Sequence, residues 1–225
     1  MAILYLKLPA SENFQFIAGQ YLDILLRDGT RRSFSMANAP YDNEFVQLHI
    51  RHVPGGSFTD HVFLKMKERE ILRFEAPLGT FALREDSTKP IVFVASGTGF
   101  APIKSILETA FRAGNTRPMT LYWGGRRPKD LYMNDLPQQW AAEHANFRYV
   151  PVISDALPED QWTGRSGFVH RAVMADFPDL SGHEVYACGV PVMVDAARKD
   201  FVAQCGLPEA DFYCDSFTTA ADKAG

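Results

Sequence analysis

Two hydrophobic periodicities divide the chain. Up to about residue 88, apolar residues come in short runs that alternate with polar ones. Leu4, Leu6 and Leu8 share one side of the segment from Ile3 to Leu8, and Val46, Leu48 and Ile50 alternate with Gln47, His49 and Arg51. Tyr21 to Leu26 is a compact apolar run. A period of two is that of strands with one buried face. The turn residues Asp28-Gly29, Asn38-Ala39-Pro40 and Pro54-Gly55-Gly56 punctuate the runs. Val62, Phe63 and Met66 predict one helix near Thr59 to Lys67, and Leu72–Phe74 and Thr80–Leu83 are expected as closing strands. Short strands so punctuated predict a small antiparallel β-barrel. The chain enters a strand at Ile3, and an unpaired edge invites association. Three expectations follow: the first barrel strand lies upstream and is missing here, another chain supplies it, or the fold tolerates an open edge.

From Lys89 the pattern changes. Ile91 to Val94 is continuously apolar, as in a strand buried on both faces. Ser96-Gly97-Thr98-Gly99 follows, then a stripe of Ile103, Ile106, Leu107, Ala110 and Phe111 that predicts a helix ending near Gly114. Further strands are expected at Met119–Trp123, Tyr149–Ile153 and Glu184–Ala187, then a helix over Val192–Gln204 stopped by Gly206 and a final strand carrying Cys214. Strand–helix alternation predicts an α/β doubly wound parallel sheet. The expected division is thus two domains, residues 1–88 and 89–225.

Composition narrows the function. With 46% hydrophobic and 22% charged residues, the 225-residue chain is not of the disordered class. A net charge of -4 gives no basic footprint for nucleic acid. No apolar run is long enough to span a bilayer, so no membrane span and a cytoplasmic location are expected. Three cysteines without a C-x-x-C pair offer neither an iron–sulfur nor a structural zinc site, and no metal is expected.

Four short motifs carry candidate chemistry. Arg32-Ser33-Phe34-Ser35 combines a planar fork for phosphate, a ring able to stack on a heterocycle, and hydroxyls. Its ordinary reading is a solvated strand face. Gly55-Gly56-Ser57-Phe58-Thr59 precedes the predicted helix, where glycines and free amides suit a pyrophosphate. The ordinary reading is a turn with Ser57 or Thr59 as N-cap. Gly97-Thr98-Gly99-Phe100-Ala101-Pro102 lies between a buried strand and a helix, where a dinucleotide binds in open α/β sheets, with Pro102 where G-x-G-x-x-G has its third glycine. Cys188-Gly189-Val190-Pro191 sits at the next such strand end. Free cysteines are usually small buried hydrophobes, the reading given to Cys205 and Cys214.

In this order the motifs resemble those of the ferredoxin–NADP reductase superfamily, over nearly the whole chain. Arg32, Phe34 and Ser35 match its flavin motif Arg-x-Tyr/Phe-Ser/Thr, Gly56 to Thr59 resembles its flavin-phosphate motif, and Gly97 to Pro102 and Cys188-Gly189-x-Pro191 resemble its nicotinamide motifs. Leu121 to Arg126 is similar to its second-strand signature. Within the superfamily the chain is similar to bacterial NAD(P)H–flavin reductases and to the CDP-6-deoxy-hexose reductase group, and Val53 to Asp60 and Phe212 to Phe217 resemble the latter. Relatives in that group often carry a ferredoxin-like module, absent here.

The resemblance implies a flavin-dependent oxidoreductase in which hydride passes from NADH or NADPH to FAD (FMN being the alternative) on the barrel domain. Electrons then pass to free flavin, an iron–sulfur protein or an oxygenase. Arg32 and Gly56 to Thr59 would hold the flavin phosphates, Ser33 and Gly55 would belong to the same cofactor site, and Phe34 would pack on the ring. Ser35 would lie near N5, Cys188 would flank the nicotinamide, and Asp215 and Phe217 would close the site. Gly97, Thr98, Gly99, Gly189 and Pro191 would bind the dinucleotide. Arg126 and Arg127, with Lys129 close by, are placed for a 2′-phosphate, while the resembling group leans to NADH. Phe34 departs from the more usual tyrosine, and the tail runs past Phe217. Competing readings are a non-catalytic flavin-carrying subunit of a larger complex, a plain nicotinamide dehydrogenase, and an inactive fragment. Flavin colour and direct NADH oxidation discriminate among them.

Overall fold

The computed structural model describes residues 1–9 and 13–218. They form two compact units, one of Met1–Arg84 with Ala101–Gly114, the other of Glu85–Phe100 with Asn115 onward.

The first unit is built from antiparallel strands. β1 (Ala2–Lys7) pairs with β4 (Phe45–Ile50), and β2 (Tyr21–Leu25) lies between β3 (Arg31–Ser35) and β5 (Phe74–Leu78). A bridge from Met36 to Leu48 joins the two sheets. β1 places Leu4 opposite Leu48 and Leu6 opposite Val46, so the expected apolar faces meet. Leu22, Ile24, Met36, Val46, Leu48, Ile50 and Phe58 make the core, with Leu4, Leu6 and Leu8 against it. Helix α1 is Ser57–Leu64, two residues earlier at its start than expected and three at its end. One strand, β5, replaces the two expected closing strands. Pro77 is accommodated because β5 is an edge strand. Beyond it Gly79 takes φ +89 against the Tyr21 ring and turns the chain.

Helix α2 (Phe100–Arg112) gives all but its first residue to this unit. It covers the polar side of β4: the Lys104 ammonium donates to the Ala37 carbonyl (3.1 Å), Gln47 Oε1 (3.3 Å) and Glu108 (2.8 Å). The Ser105 hydroxyl donates to the Asn38 carbonyl (2.7 Å). Gln47 and His49 are therefore buried, although their alternation with apolar residues reads as a solvent face. Burial, then the Lys104 charge, depresses the His49 pKa to about 3, so the imidazole is neutral.

The second unit holds a six-stranded parallel sheet. Its strands are β6 (Ile91–Ser96), β7 (Met119–Gly125), β8 (Phe147–Ile153), β9 (Arg165–Ser166), β10 (Glu184–Gly189) and β11 (Phe212–Ser216), in the order β11-β10-β6-β7-β8-β9. β6 is thus flanked by the next strand in sequence on one side and by β10 on the other, the reversal that defines a switch point. Helices α4 (Val169–Asp176) and α5 (Pro191–Gln204) cover one face, burying Val92, Val94, Val152 and Ala187 beneath Val173, Ala197 and Phe201. On the other face Phe100 stacks on Trp123 at 4.0 Å and lies near Trp140 of α3 (Asp135–Glu143). Helices α3 and α4 and the two-residue β9 were not expected.

A buried ion pair ties this sheet together. Arg117 donates to Glu184 (2.6 Å) and to the Lys89 carbonyl (2.6 Å), and the Tyr186 hydroxyl donates to the same carboxylate (3.0 Å). Burial alone would raise the Glu184 pKa, but hydrogen bonds from Ser87, Arg117 and Tyr186 hold it below the ordinary range. Removing one partner strands a buried charge at a cost of about 3 kcal/mol or more. Arg117→Met should lower the urea midpoint accordingly. Arg148→Met, which removes an exposed pair to Asp176 at 3.4 Å, should shift it little.

Candidate functional site

In the first unit the site residues lie on β3. Arg32 stands opposite Ile24 and Phe34 opposite Leu22, which puts both on one face of the strand, and Ser33 and Ser35 on the other. The Arg32 guanidinium makes one protein hydrogen bond among the described residues, to the Arg31 carbonyl (2.7 Å), out of five donors. Its neighbour Arg31 is instead engaged by Glu75 and by Asp23 at 3.7 Å. Phe34 is half-buried, with its ring centroid 5.4 Å from that of Phe58. Ser33 Oγ donates to Asp23 (2.6 Å), which commits that hydroxyl. Ser35 Oγ is buried and has no hydrogen-bond partner among the described residues. An unmet buried hydroxyl costs about 1–3 kcal/mol, so a polar atom from a ligand fits there.

The turn before α1 organises itself. Gly55 takes φ +82, and a Cβ on Gly56 would lie 2.8 Å from Thr59 Oγ1 and 2.9 Å from the Val53 carbonyl. Thr59 Oγ1 donates to the Val53 carbonyl (2.8 Å), and Asp60 accepts from the Gly55 N–H (3.0 Å) while its other oxygen meets His52 Nε2 (2.7 Å). Two expectations change. The N-cap is Gly56 with no side-chain cap bond, so neither Ser57 nor Thr59 caps the helix. The Phe58 side chain, 3% exposed, belongs to the core and the Thr59 hydroxyl to the turn. What Ser57, Phe58 and Thr59 can offer an anion is the N–H groups of an uncapped first turn. With the Ser35 hydroxyl and the Arg32 fork, these groups fit a flavin nucleotide.

In the second unit the site is the switch point. Gly97–Gly99 form one tight 3₁₀ turn off β6. A Cβ on Gly99 would fall 2.0 Å from the Cys188 carbonyl oxygen, and one on Gly189, which has φ +142, would fall 2.1 Å from Ser96 Oγ. Ser96 Oγ accepts the Val190 N–H (3.1 Å), Trp123 Nε1 donates to the Gly97 carbonyl (2.9 Å), and the Phe217 N–H donates to the Gly189 carbonyl (2.8 Å). Phe217 thus acts here through its backbone. Gly97 has nothing within 4 Å of the position a Cβ would take, so its surface and that of half-buried Thr98 are open to a ligand. Pro191 opens α5.

Cys188 is fully buried, and burial, Asp215 and Cys214 push its thiol pKa well up, so it is a neutral thiol. Asp215 stands opposite it on β11, its own pKa pushed up to about 6 by burial. Arg126 and Arg127 follow β7, but both are engaged: Arg127 pairs bidentately with Asp160, and Arg126 meets Asp155 at 3.2 Å.

Four residues escaped sequence reasoning. Ser96 and Tyr132 surround the switch point, Tyr132 lying 5.2 Å from Trp123 and titrating high through burial and the nearby Cys188. Asp160 closes on Arg127, and the exposed Phe168 follows Gly167, whose N–H donates to the Ile153 carbonyl at the end of β8. Ser96 adjoins the glycine turn that the sequence displays, and the Pro158-Glu159-Asp160 turn could have signalled Asp160. Among the described residues no three His, Cys, Asp or Glu side chains are grouped to hold a metal, and no helix is long and apolar enough to cross a membrane.

Comparison with known proteins gives two family matches: an oxidoreductase FAD-binding domain over residues 1–83 and an oxidoreductase NAD-binding domain over residues 93–199. The CDP-6-deoxy-L-threo-D-glycero-4-hexulose-3-dehydrase reductase of Yersinia pestis is 46% identical over 96% of this chain, which spans 64% of that protein. Reductase component 1 of terephthalate 1,2-dioxygenase from Comamonas is 40% identical over 98% of this chain and 65% of its own length. The crystal structure of the Amycolatopsis cytochrome P450 reductase GcoB superposes with a TM-score of 0.85 at 35% identity, over 93% of this chain and 63% of that one. The Neisseria gonorrhoeae ferredoxin NADP+ reductase shares the fold, with a TM-score of 0.80 at 21% identity over 95% of this chain and 91% of that one.

Because a Cβ at residue 99 meets backbone and not a movable side chain, Gly99→Ala should abolish binding of 5′-AMP in calorimetry. Gly97→Ala, where the space is open, should keep more of it despite its positive φ.

Proposed function

The chain consists of an FAD-binding and an NAD-binding oxidoreductase domain of the ferredoxin reductase family, and from that premise we propose that it oxidises NADH or NADPH, reduces its own FAD and hands the electrons to a separate acceptor. What carries this reading is the Ser35 hydroxyl, buried without a partner among the described residues. The glycine turns of the second unit would serve an ordinary dehydrogenase equally well, whereas an orphaned donor at the end of a barrel strand asks for a ligand atom there.

Bound FAD supplies hydride acceptance at N5 and the release of electrons one at a time. The chain supplies the rest. Arg32 and the first-turn amides of α1 would hold the diphosphate, Phe34 would pack on the ring, and the Ser35 hydroxyl would donate to the flavin. The Gly97–Gly99 and Gly189 backbones take the pyrophosphate of the substrate. Cys188, held as a neutral thiol, shapes the nicotinamide pocket and is no nucleophile. Asp215, ionised above about pH 6, stabilises the positive charge that the nicotinamide ring gains as hydride leaves.

The relatives are named as reductases of a dehydrase and of a dioxygenase. We therefore assign this protein an acceptor of that class, an iron–sulfur protein or an oxygenase, in the cytoplasm. The chain spans 64% and 65% of those two relatives, and a ferredoxin-like module is a further candidate for the first acceptor.

The purified protein should be yellow, release FAD on denaturation, and bleach near 450 nm on anaerobic addition of NADH. A flavin that stays oxidised would make the protein a carrier, and no flavin uptake at all would remove the proposal. The rate of that bleaching should rise about tenfold between pH 5 and pH 7.5 as Asp215 loses its proton (~1.4 kcal/mol). Asp215→Asn should be flat across this range at the lower value, and a retained pH step would exclude Asp215.

A further inference from the structure

We infer that Asp160 sets the preference of the dinucleotide site for NADH over NADPH by sequestering Arg127, the more buried of the two guanidiniums in the turn after β7. This rests on the proposed dinucleotide site. In an open parallel sheet the adenosine ribose reaches the end of the strand next to the glycine turn, here β7. A 2′-hydroxyl there wants a carboxylate acceptor. A 2′-phosphate wants an unoccupied arginine fork.

Arg127 looks suited to the phosphate but its fork is taken. Nε and one terminal nitrogen donate to the two oxygens of Asp160 at 2.5 and 2.8 Å, and the same terminal nitrogen reaches Glu159 at 3.4 Å. Its side chain is only 25% exposed. Asp160 does not swing freely: its carboxylate also accepts the Leu157 N–H at 2.9 Å, closing the Pro158–Asp160 turn. Arg127 first, then the Leu157 N–H, hold the Asp160 pKa below the ordinary carboxylate range, so the lock persists at neutral pH.

The backbone of the turn is committed in the same way. The N–H groups of Arg126 and Arg127 both donate to Asp130 Oδ2, at 3.0 and 2.8 Å. Arg126 keeps an 81% exposed side chain, and its one partner, Asp155, is 57% exposed. Two arginines and Lys129 thus face Asp130, Asp155, Glu159 and Asp160, and a phosphate dianion would add to an excess of negative charge. A ribose hydroxyl finds acceptors in the same place.

Calorimetry on the full chain with 5′-AMP and 2′,5′-ADP, which differ only in the 2′-phosphate, tests this. The unmodified chain should bind 5′-AMP at least tenfold more tightly. Asp160→Asn should strengthen 2′,5′-ADP binding at least tenfold and leave 5′-AMP within twofold, and kcat/KM for NADPH against NADH should move the same way. Glu159→Gln, a milder exposed change, should move it two- to threefold. Glu143→Gln, removing an equal charge from the end of α3, should not move it. An unchanged ratio in both Asp160→Asn and Glu159→Gln, or a preference of the unmodified chain for 2′,5′-ADP, overturns the inference while leaving the dinucleotide site standing. Absence of 5′-AMP binding in the unmodified chain overturns both.

Discussion

Two backbone turns in the second unit approach so closely that no side chain fits between them. Gly99 lies against the carbonyl of Cys188, and Gly189 against Ser96. The sheet order forces this meeting, since β6 and β10 are neighbours while the connections leaving them run in opposite directions. Everything proposed for the nicotinamide substrate depends on it. The open amide surface of Gly97, the orientation of α5 from Pro191, and the pairing of Cys188 with Asp215 all follow once the turns are nested. Trp123, fully buried between Phe100 and the Gly97 carbonyl, braces the same turn from beneath.

The two candidate sites use side chains differently. On the barrel, side chains with unmet capacity stand out: among the described residues Ser35 lacks a partner and Arg32 spends one of its donors. On the α/β unit, backbone does it, and the side chains nearby are neutralised or engaged. Cys188 is kept protonated, Asp215 is held near the edge of ionisation, and Arg127 is locked. Such a division suits one cofactor that stays and one that comes and goes. A resident group can afford specific polar anchors, whereas a substrate must leave within each cycle.

Much of this was legible in the chain itself, for reasons that are local. The period of two in β1 and β4, the continuous run of β6, and glycines followed by helical stripes are short-range signals. What escaped was set by contacts far apart in sequence. Gln47 and His49 alternate like solvent-facing residues yet are buried, because Lys104, 57 residues after Gln47, lies over them. Asp160 meets Arg127 across 33 residues. β9 has only two residues and takes its identity from pairing with β8, and α3 carries too few apolar residues to display a stripe. In the barrel, Phe58 and Thr59 sit inside a motif whose ligand-facing part is backbone, which side-chain chemistry alone does not reveal.

Helix α2 has a consequence for dissecting the molecule. The chain completes most of the barrel by Arg84, leaves to form β6 and its glycine turn, and only then returns with Ala101–Gly114. Expression of residues 1–84 alone would therefore produce a barrel with Gln47 and His49 stripped of their cover and the Ala37 and Asn38 carbonyls without their donors. Neither the flavin fragment nor a chimaera joined near that point is self-sufficient. Grafting this barrel onto another reductase requires carrying Lys104 and Ser105 across with it, as an interleaved cassette.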